Sequence, residues 1–104
     1  MKIHYSSKKQ EKILTDLRLL KKYYPDHHTK IANRLSELRV VNNLTEISEV
    51  PPPRRHKLKG KYRNCWGIDY SKNCRIVIQP IGEYDINDLS SIVEILIVDL
   101  VDYH

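Results

Sequence analysis

The chain lacks an apolar run long enough to span a membrane; residues 92–101 come nearest and are broken by Glu94 and Asp99. The opening residues Met1 to Ser6 contain no apolar signal core and no small-residue cleavage site, so a cytoplasmic protein with no membrane partner is expected. Cysteine is scarce. Cys65 and Cys74 form no CxxC pair and have no His at ligand spacing, which argues against a metal site. They fall on adjacent strands of one predicted hairpin, but its turn would pair Cys65 with a residue well beyond Cys74, so reduced thiols are expected. There is no Gly-rich phosphate loop, no nucleophilic Ser elbow and no paired-carboxylate glycosidase pattern, and no cofactor is expected. Internal repeats and low-complexity tracts are also missing.

Two absences of charge say more. No Lys or Arg follows Arg75, and no acid occurs between Glu49 and Asp69. All 18 basic side chains therefore lie within residues 1–75 against seven acids, a net +11, while residues 76–104 carry six acids and a net −6. Such a basic body suggests a polyanionic partner, because Lys and Arg displace counterions condensed on a phosphate backbone. With 104 residues, one domain spanning 1–104 is expected.

The apolar pattern predicts an α+β fold. Lys2 to Tyr5 reads as a short strand. Ser7 and Gln10 fit a capping box, and Ile13, Leu17, Leu20 and Tyr24 then repeat at helical spacing until Pro25 stops the helix. Asp26 can cap a second helix carrying Ile31, Leu35 and Leu38, giving an antiparallel helix pair. Pro51-Pro52-Pro53 forbids regular structure. Arg55 to Lys59 can be extended. Trp66, Ile68 and Tyr70 alternate as in a half-buried strand, Ser71-Lys72-Asn73 reads as a turn, and Cys74 to Gln79 resumes as a strand. Residues 82–91 read as a loop with a helical turn near Asp88-Leu89. Residues 92–103, rich in Ile and Val on both faces, suit a central strand. The expected architecture is an N-terminal strand and antiparallel helix pair packed on a mainly antiparallel, twisted sheet.

Residues 54–63 form the densest chemical feature: Arg54, Arg55, Lys57, Lys59, Lys61 and Arg63 surround His56 and Tyr62. The plain reading is a solvated loop; the functional one is a phosphate-tracking surface with Tyr62 or Trp66 free to stack on a base. Arg75 interrupts an apolar strand, where a partly buried guanidinium calls for a carboxylate or a ligand phosphate. Asp102, Tyr103 and His104 continue the last strand, and alternation puts Asp102 and His104 on one face, so the carboxylate can orient the imidazole. His27, His28 and His4 read as surface or structural residues, and Trp66 more readily as a core anchor.

These elements, taken in order, resemble the RelE/ParE toxin superfamily, most closely its HigB-like branch, the plasmid maintenance killer proteins. The matching elements are His56-Lys57-Leu58-Lys59-Gly60, then Trp66-Gly67-Ile68, Arg75-Ile76, and Asp102-Tyr103-His104. Lys57 stands where many members have Pro, and the 82–91 loop is longer than in the shortest members. The resemblance implies a RelE-like fold and the toxin of a type II toxin–antitoxin system: a metal-independent, ribosome-dependent endoribonuclease acting on mRNA. Its partners would be a HigA-like helix-turn-helix antitoxin, the ribosome and mRNA, with operator DNA bound only through the antitoxin complex. Attack of an RNA 2′-hydroxyl on the adjacent phosphate needs a base, an acid and positive charge. The resemblance assigns these to His104, His56, Lys59, Tyr103 and Asp102, with Arg75 on the phosphate and Arg54, Arg55, Lys57, Lys61 and Arg63 along the RNA. Three other readings stay open: a ParE-like gyrase poison on the same fold, which would not need the His and Lys constellation, a non-catalytic nucleic-acid-binding module, and a decayed toxin that keeps only the fold and antitoxin binding.

Overall fold

A computed structural model describes residues 1–102. Five strands form one sheet in the order β1-β5-β4-β3-β2: β1 (Lys2–Tyr5), β2 (His56–Lys57), β3 (Trp66–Ser71), β4 (Cys74–Pro80) and β5 (Glu94–Asp102). β1 pairs parallel with β5, and all other neighbours are antiparallel. Helices α1 (Lys8–Thr15), α2 (Leu17–Tyr23) and α3 (His28–Val40) cover one face. This is the expected α+β architecture, with β5 hydrogen-bonded on both sides.

The helical region departs from expectation at two places. The single helix predicted between the Ser7 cap and Pro25 is two helices. Asp16 adopts an extended conformation (φ −121°, ψ 111°), and its Oδ1 accepts from Arg18 N at 2.9 Å and Leu19 N at 3.4 Å. A short carboxylate that can cap a new helix competes with continuation of the old one. The break swings Leu17 outward to 70% exposure, although spacing placed it on the buried stripe, while Leu14 and Leu20 stay in the core. Second, α3 is preceded by His27 rather than Asp26, with no side-chain cap bond. The first cap does form: Ser7 Oγ accepts from Gln10 N at 3.0 Å, and Gln10 Oε1 accepts from Ser6 N at 2.8 Å, one residue further back than expected.

The core lies between helices and sheet. Leu20, Ile31, Leu35 and Leu38 meet Ile68, Ile76, Ile78, Ile95 and Ile97, all essentially without exposure. Trp66 joins this core, as the plain reading held. A two-residue turn at Lys72-Asn73 closes the β3–β4 hairpin. The thiols of Cys65 and Cys74 are free and belong to clusters on opposite faces of the sheet.

The sheet's other face is where expectation and structure differ most. β3 is buried along nearly its whole length rather than half-buried, because residues 54–63 fold back over Cys65, Gly67 and Asp69. Only His56–Lys57 of that segment is paired as a strand. A second small cluster of Leu58, Cys65 and Val77, flanked by Tyr62, Val98 and Val101, anchors the fold-back. A register shift in β5 makes this possible. Val77 is opposite Asp99 while Ile78 is opposite Ile97, so Val98 is an extra residue. A bulge of this kind lets Val98 and Val101, three positions apart, serve the same face.

Candidate functional site

The site is built on that second face. His56 is the cross-strand neighbour of Gly67, and Arg75 of Asp69. A Cβ at residue 67 would come within 2.8 Å of His56 Cε1 and 2.9 Å of Arg75 Cδ. Glycine is therefore what lets the imidazole and the Arg75 stem settle together on the strand.

The hydrogen bonds define the state of His56. Its Nδ1 is 2.7 Å from Arg54 O, and its Nε2 is 2.8 Å from Arg75 Nη1. A carbonyl only accepts and a guanidinium only donates, so Nδ1 carries the proton and Nε2 offers its lone pair to Arg75. His56 thus aims one ring nitrogen at a carbonyl and the other at a cation. Burial pushes the Arg75 guanidinium below its ordinary value; Asp69 opposes that shift and Arg54 adds to it.

Asp69 organises the loop. Its carboxylate binds Arg54 through Oδ2 to Nε at 2.6 Å and Oδ1 to Nη2 at 3.4 Å. Its N–H donates to Pro53 O at 2.7 Å, and its carbonyl accepts from Arg34 Nε at 2.7 Å. Arg54 sits at φ 41°, the left-handed region that a bulky side chain enters only under restraint. The Asp69 pair and the bond from Arg54 O to His56 supply that restraint. Sequence reasoning did not single out Asp69, Gly67 or Arg34. The available signal was Asp69 itself, the first acid after an acid-free stretch and a charged residue in an apolar strand.

The other predicted residues divide. The Arg55 side chain is only 8% exposed; its Nε donates to Ile47 O at 2.8 Å and its Nη2 pairs with Glu49 at 3.2 Å. Its hydrogen bonds thus tie the loop to the body of the protein. The Lys57 ammonium donates to Arg63 O and lies 4.8 Å from the Trp66 ring centroid. Tyr62 donates from its hydroxyl to Asp99 Oδ2 at 3.1 Å, and Lys61 lies 5.1 Å from the Tyr62 ring centroid. Burial, then Asp99, pushes the Tyr62 phenol up. Lys59 precedes a short turn at Gly60–Tyr62, and Lys59, Lys61 and Arg63 are exposed.

Asp102 lies elsewhere. It is opposite Cys74 and hydrogen-bonded to it, on the helix-covered face, whereas its neighbour Val101 is opposite Arg75. The expectation of a single site for all six residues therefore meets a sheet between Asp102 and the His56–Arg75 pair. Tyr103 and His104 lie outside the described residues. Among the described residues, no three His, Cys, Asp or Glu side chains are grouped to hold a metal ion, and no helix is long and apolar enough to cross a membrane.

No protein-family model matches the chain, and no curated protein does. A solved structure does. The chain is similar to a YoeB/ParE toxin from Agrobacterium tumefaciens, with a TM-score of 0.58 over 100% of both chains. Sequence identity is 13%, so the likeness is one of fold. The α+β fold class expected from the sequence is thus one that a known toxin shares.

Proposed function

We propose that this chain is the toxin of a type II toxin–antitoxin pair and a ribosome-dependent mRNA endonuclease of the HigB-like branch. The observation that carries the reading is the His56–Arg75 pair seated on Gly67, in a fold shared with a toxin and beside an exposed run of Lys and Arg. A scissile phosphate entering here would take the Arg75 guanidinium for its oxygens. That transfer frees His56 Nε2, already unprotonated, to act in proton transfer. Lys59 adds charge to the phosphorane-like transition state.

The reaction is in-line. The 2′-oxygen bonds to phosphorus and gives its proton to a base, the bond from phosphorus to the 5′-oxygen breaks, and an acid protonates that oxygen. We assign the acid and base to His56 and His104. Tyr103 stacks on a base or relays a proton, and Asp102 fixes the end of β5 that carries them. Val101, opposite Arg75, brings the end of β5 to the pair, and His104 joins the grouping in this reading only by leaving the alternation that puts it with Asp102. Arg54, Lys57, Lys61 and Arg63 line the approach of the RNA, while Arg55 acts by holding the loop. The partners in this reading are a HigA-like antitoxin, the ribosome and mRNA, in the cytoplasm.

The test is induction in a bacterial host with mapping of mRNA 5′ ends. In-frame cuts within translated regions, lost in a His104→Ala, Lys59→Ala variant that still folds, support the nuclease. Full cleavage by that variant sinks the site. Cleavage should also survive excess chelator once ribosome integrity is controlled. Induction of DNA damage signalling without mRNA cuts would move the chain to the gyrase-poison reading.

A further inference from the structure

A second cationic feature lies beyond the His56–Arg75 pair. A groove of about 510 Å³ runs between α3, the Pro51-Pro52 turn and the β3–β4 turn. Its charged lining is Lys30, Arg34, Arg54 and Lys72, with Asp69 the one acid. Asp69 is already engaged by Arg54, so the groove keeps an excess of positive charge. Two of the four cations are held in place: Arg34, with a side chain 12% exposed, by the Asp69 carbonyl and an ion pair with Glu37 at 3.3 Å, and Arg54 by the Asp69 carboxylate, so the excess charge rests on Lys30 and Lys72. The other two, Lys30 and Lys72, are exposed and form no ion pair among the described residues.

We propose that this groove is a second phosphate subsite, taking a nucleotide of single-stranded RNA away from the bond that is cut. Pre-held guanidiniums flanked by exposed ammoniums suit a phosphodiester, which needs charge from several directions. The exposed rings of Pro51 and Pro52 supply an apolar wall for ribose or base. The volume lies within the range of small-ligand sites and suits one nucleotide. Arg54 joins the two sites, since its guanidinium lines the groove while its carbonyl holds His56. The inference rests on the RNA reading above and extends the strand's path across the Asp69 edge.

Binding of a fluorescent 12-nucleotide, fully 2′-O-methylated single-stranded RNA, which cannot be cut, tests it by anisotropy over a range of salt. Each lost phosphate contact on a single strand lowers the slope of log Kd against log salt by about 0.7. Lys30→Ala with Lys72→Ala should lower it by about 1.4 and weaken low-salt binding roughly tenfold. Lys8→Ala with Lys12→Ala on α1, the same charge change, should leave the slope as it was. An unchanged slope in the groove variant overturns the proposal, as does an equal loss on a duplex RNA hairpin, which would mean shape readout. Unaltered RNA binding with loss of capture by the co-expressed antitoxin would assign the groove to an acidic protein segment instead. If the unaltered protein neither binds RNA nor cuts mRNA, the nuclease reading itself fails; if it does both and only the slope result is negative, only the groove assignment fails.

Discussion

The two faces of the sheet are made from the same strands and do opposite things. The helix-covered face takes Trp66, Ile68 and Tyr70 from β3 and Cys74, Ile76 and Ile78 from β4, all buried in one apolar core. The other face takes Gly67, Asp69 and Arg75 from the same strands and covers them with a basic loop. On the first face each residue is replaceable by another of similar volume and polarity. On the second, Gly67, Asp69, Arg75 and His56 are coupled by directional contacts. The apolar core lies on one side and the candidate site on the other.

This contrast can be attacked from either side. The largest effect should come from the apolar face. Ile76→Ala, at a fully buried position, should cost about 3 kcal/mol, a large share of the stability of a domain this size. Urea titration reads the loss; a cost under about 1 kcal/mol would mean that the face collapses freely around the gap.

Gly67→Ala should do the reverse. The new methyl collides with side-chain atoms, His56 Cε1 at 2.8 Å and Arg75 Cδ at 2.9 Å, which can move aside. Stability should fall by about 1–3 kcal/mol, while in the proposed nuclease reading cleavage of translated mRNA should fall roughly a hundredfold because the pair is displaced. Unchanged cleavage would separate the pair from the activity.

Asp69→Asn sits between the two. It leaves Arg54 without its carboxylate at φ 41°, and the half-exposed guanidinium keeps the penalty to about 1–2 kcal/mol. Limited proteolysis should find residues 50–63 opened before the rest of the chain. A uniform increase in cleavage along the chain would show that Asp69 does not act as the loop's anchor.

The smallest effect is alkaline. Burial pushes the Cys74 thiol up, and burial likewise raises Cys65 and Tyr70. A raised folded pKa favours the protonated form, so this stability is fully present below the unfolded thiol value of about 8.5 and drains away as pH rises toward the folded values. Tm should be flat from pH 7 to 8 and decline above about 9, and less steeply in Cys74→Ala. A Tm that rises with pH over that range would contradict the burial of these groups.

Much of the fold was legible because local chemistry and tertiary need agree. The alternation through Trp66, Ile68 and Tyr70 and the stripe Ile31, Leu35 and Leu38 appear as read, and the turn expected at Ser71-Lys72-Asn73 is there but one residue shorter, with Ser71 kept in β3. The helix break at Asp16 was missed because helical spacing carries through it, and only the competition between side-chain capping and continued helix decides there. Asp26 was expected to cap α3 from its residue type, but the chain enters that helix through His27. The site was half legible. His56 and Arg75 stood out as unusual residues in basic and apolar settings. Gly67 and Asp69 did not, since their importance arises from what is packed against them.

Residue order alone settled the α+β class, the buried stripe of α3 and the separation of basic from acidic halves, since all three follow from properties that act over a few neighbouring positions. The meeting of His56 with Arg75, the anchoring of Arg54 by Asp69 and the placement of Asp102 on the far side of the sheet were decided only by tertiary structure. Each depends on strand register, which joins residues distant in the chain, and a one-residue bulge at Val98 is enough to change which face a side chain serves.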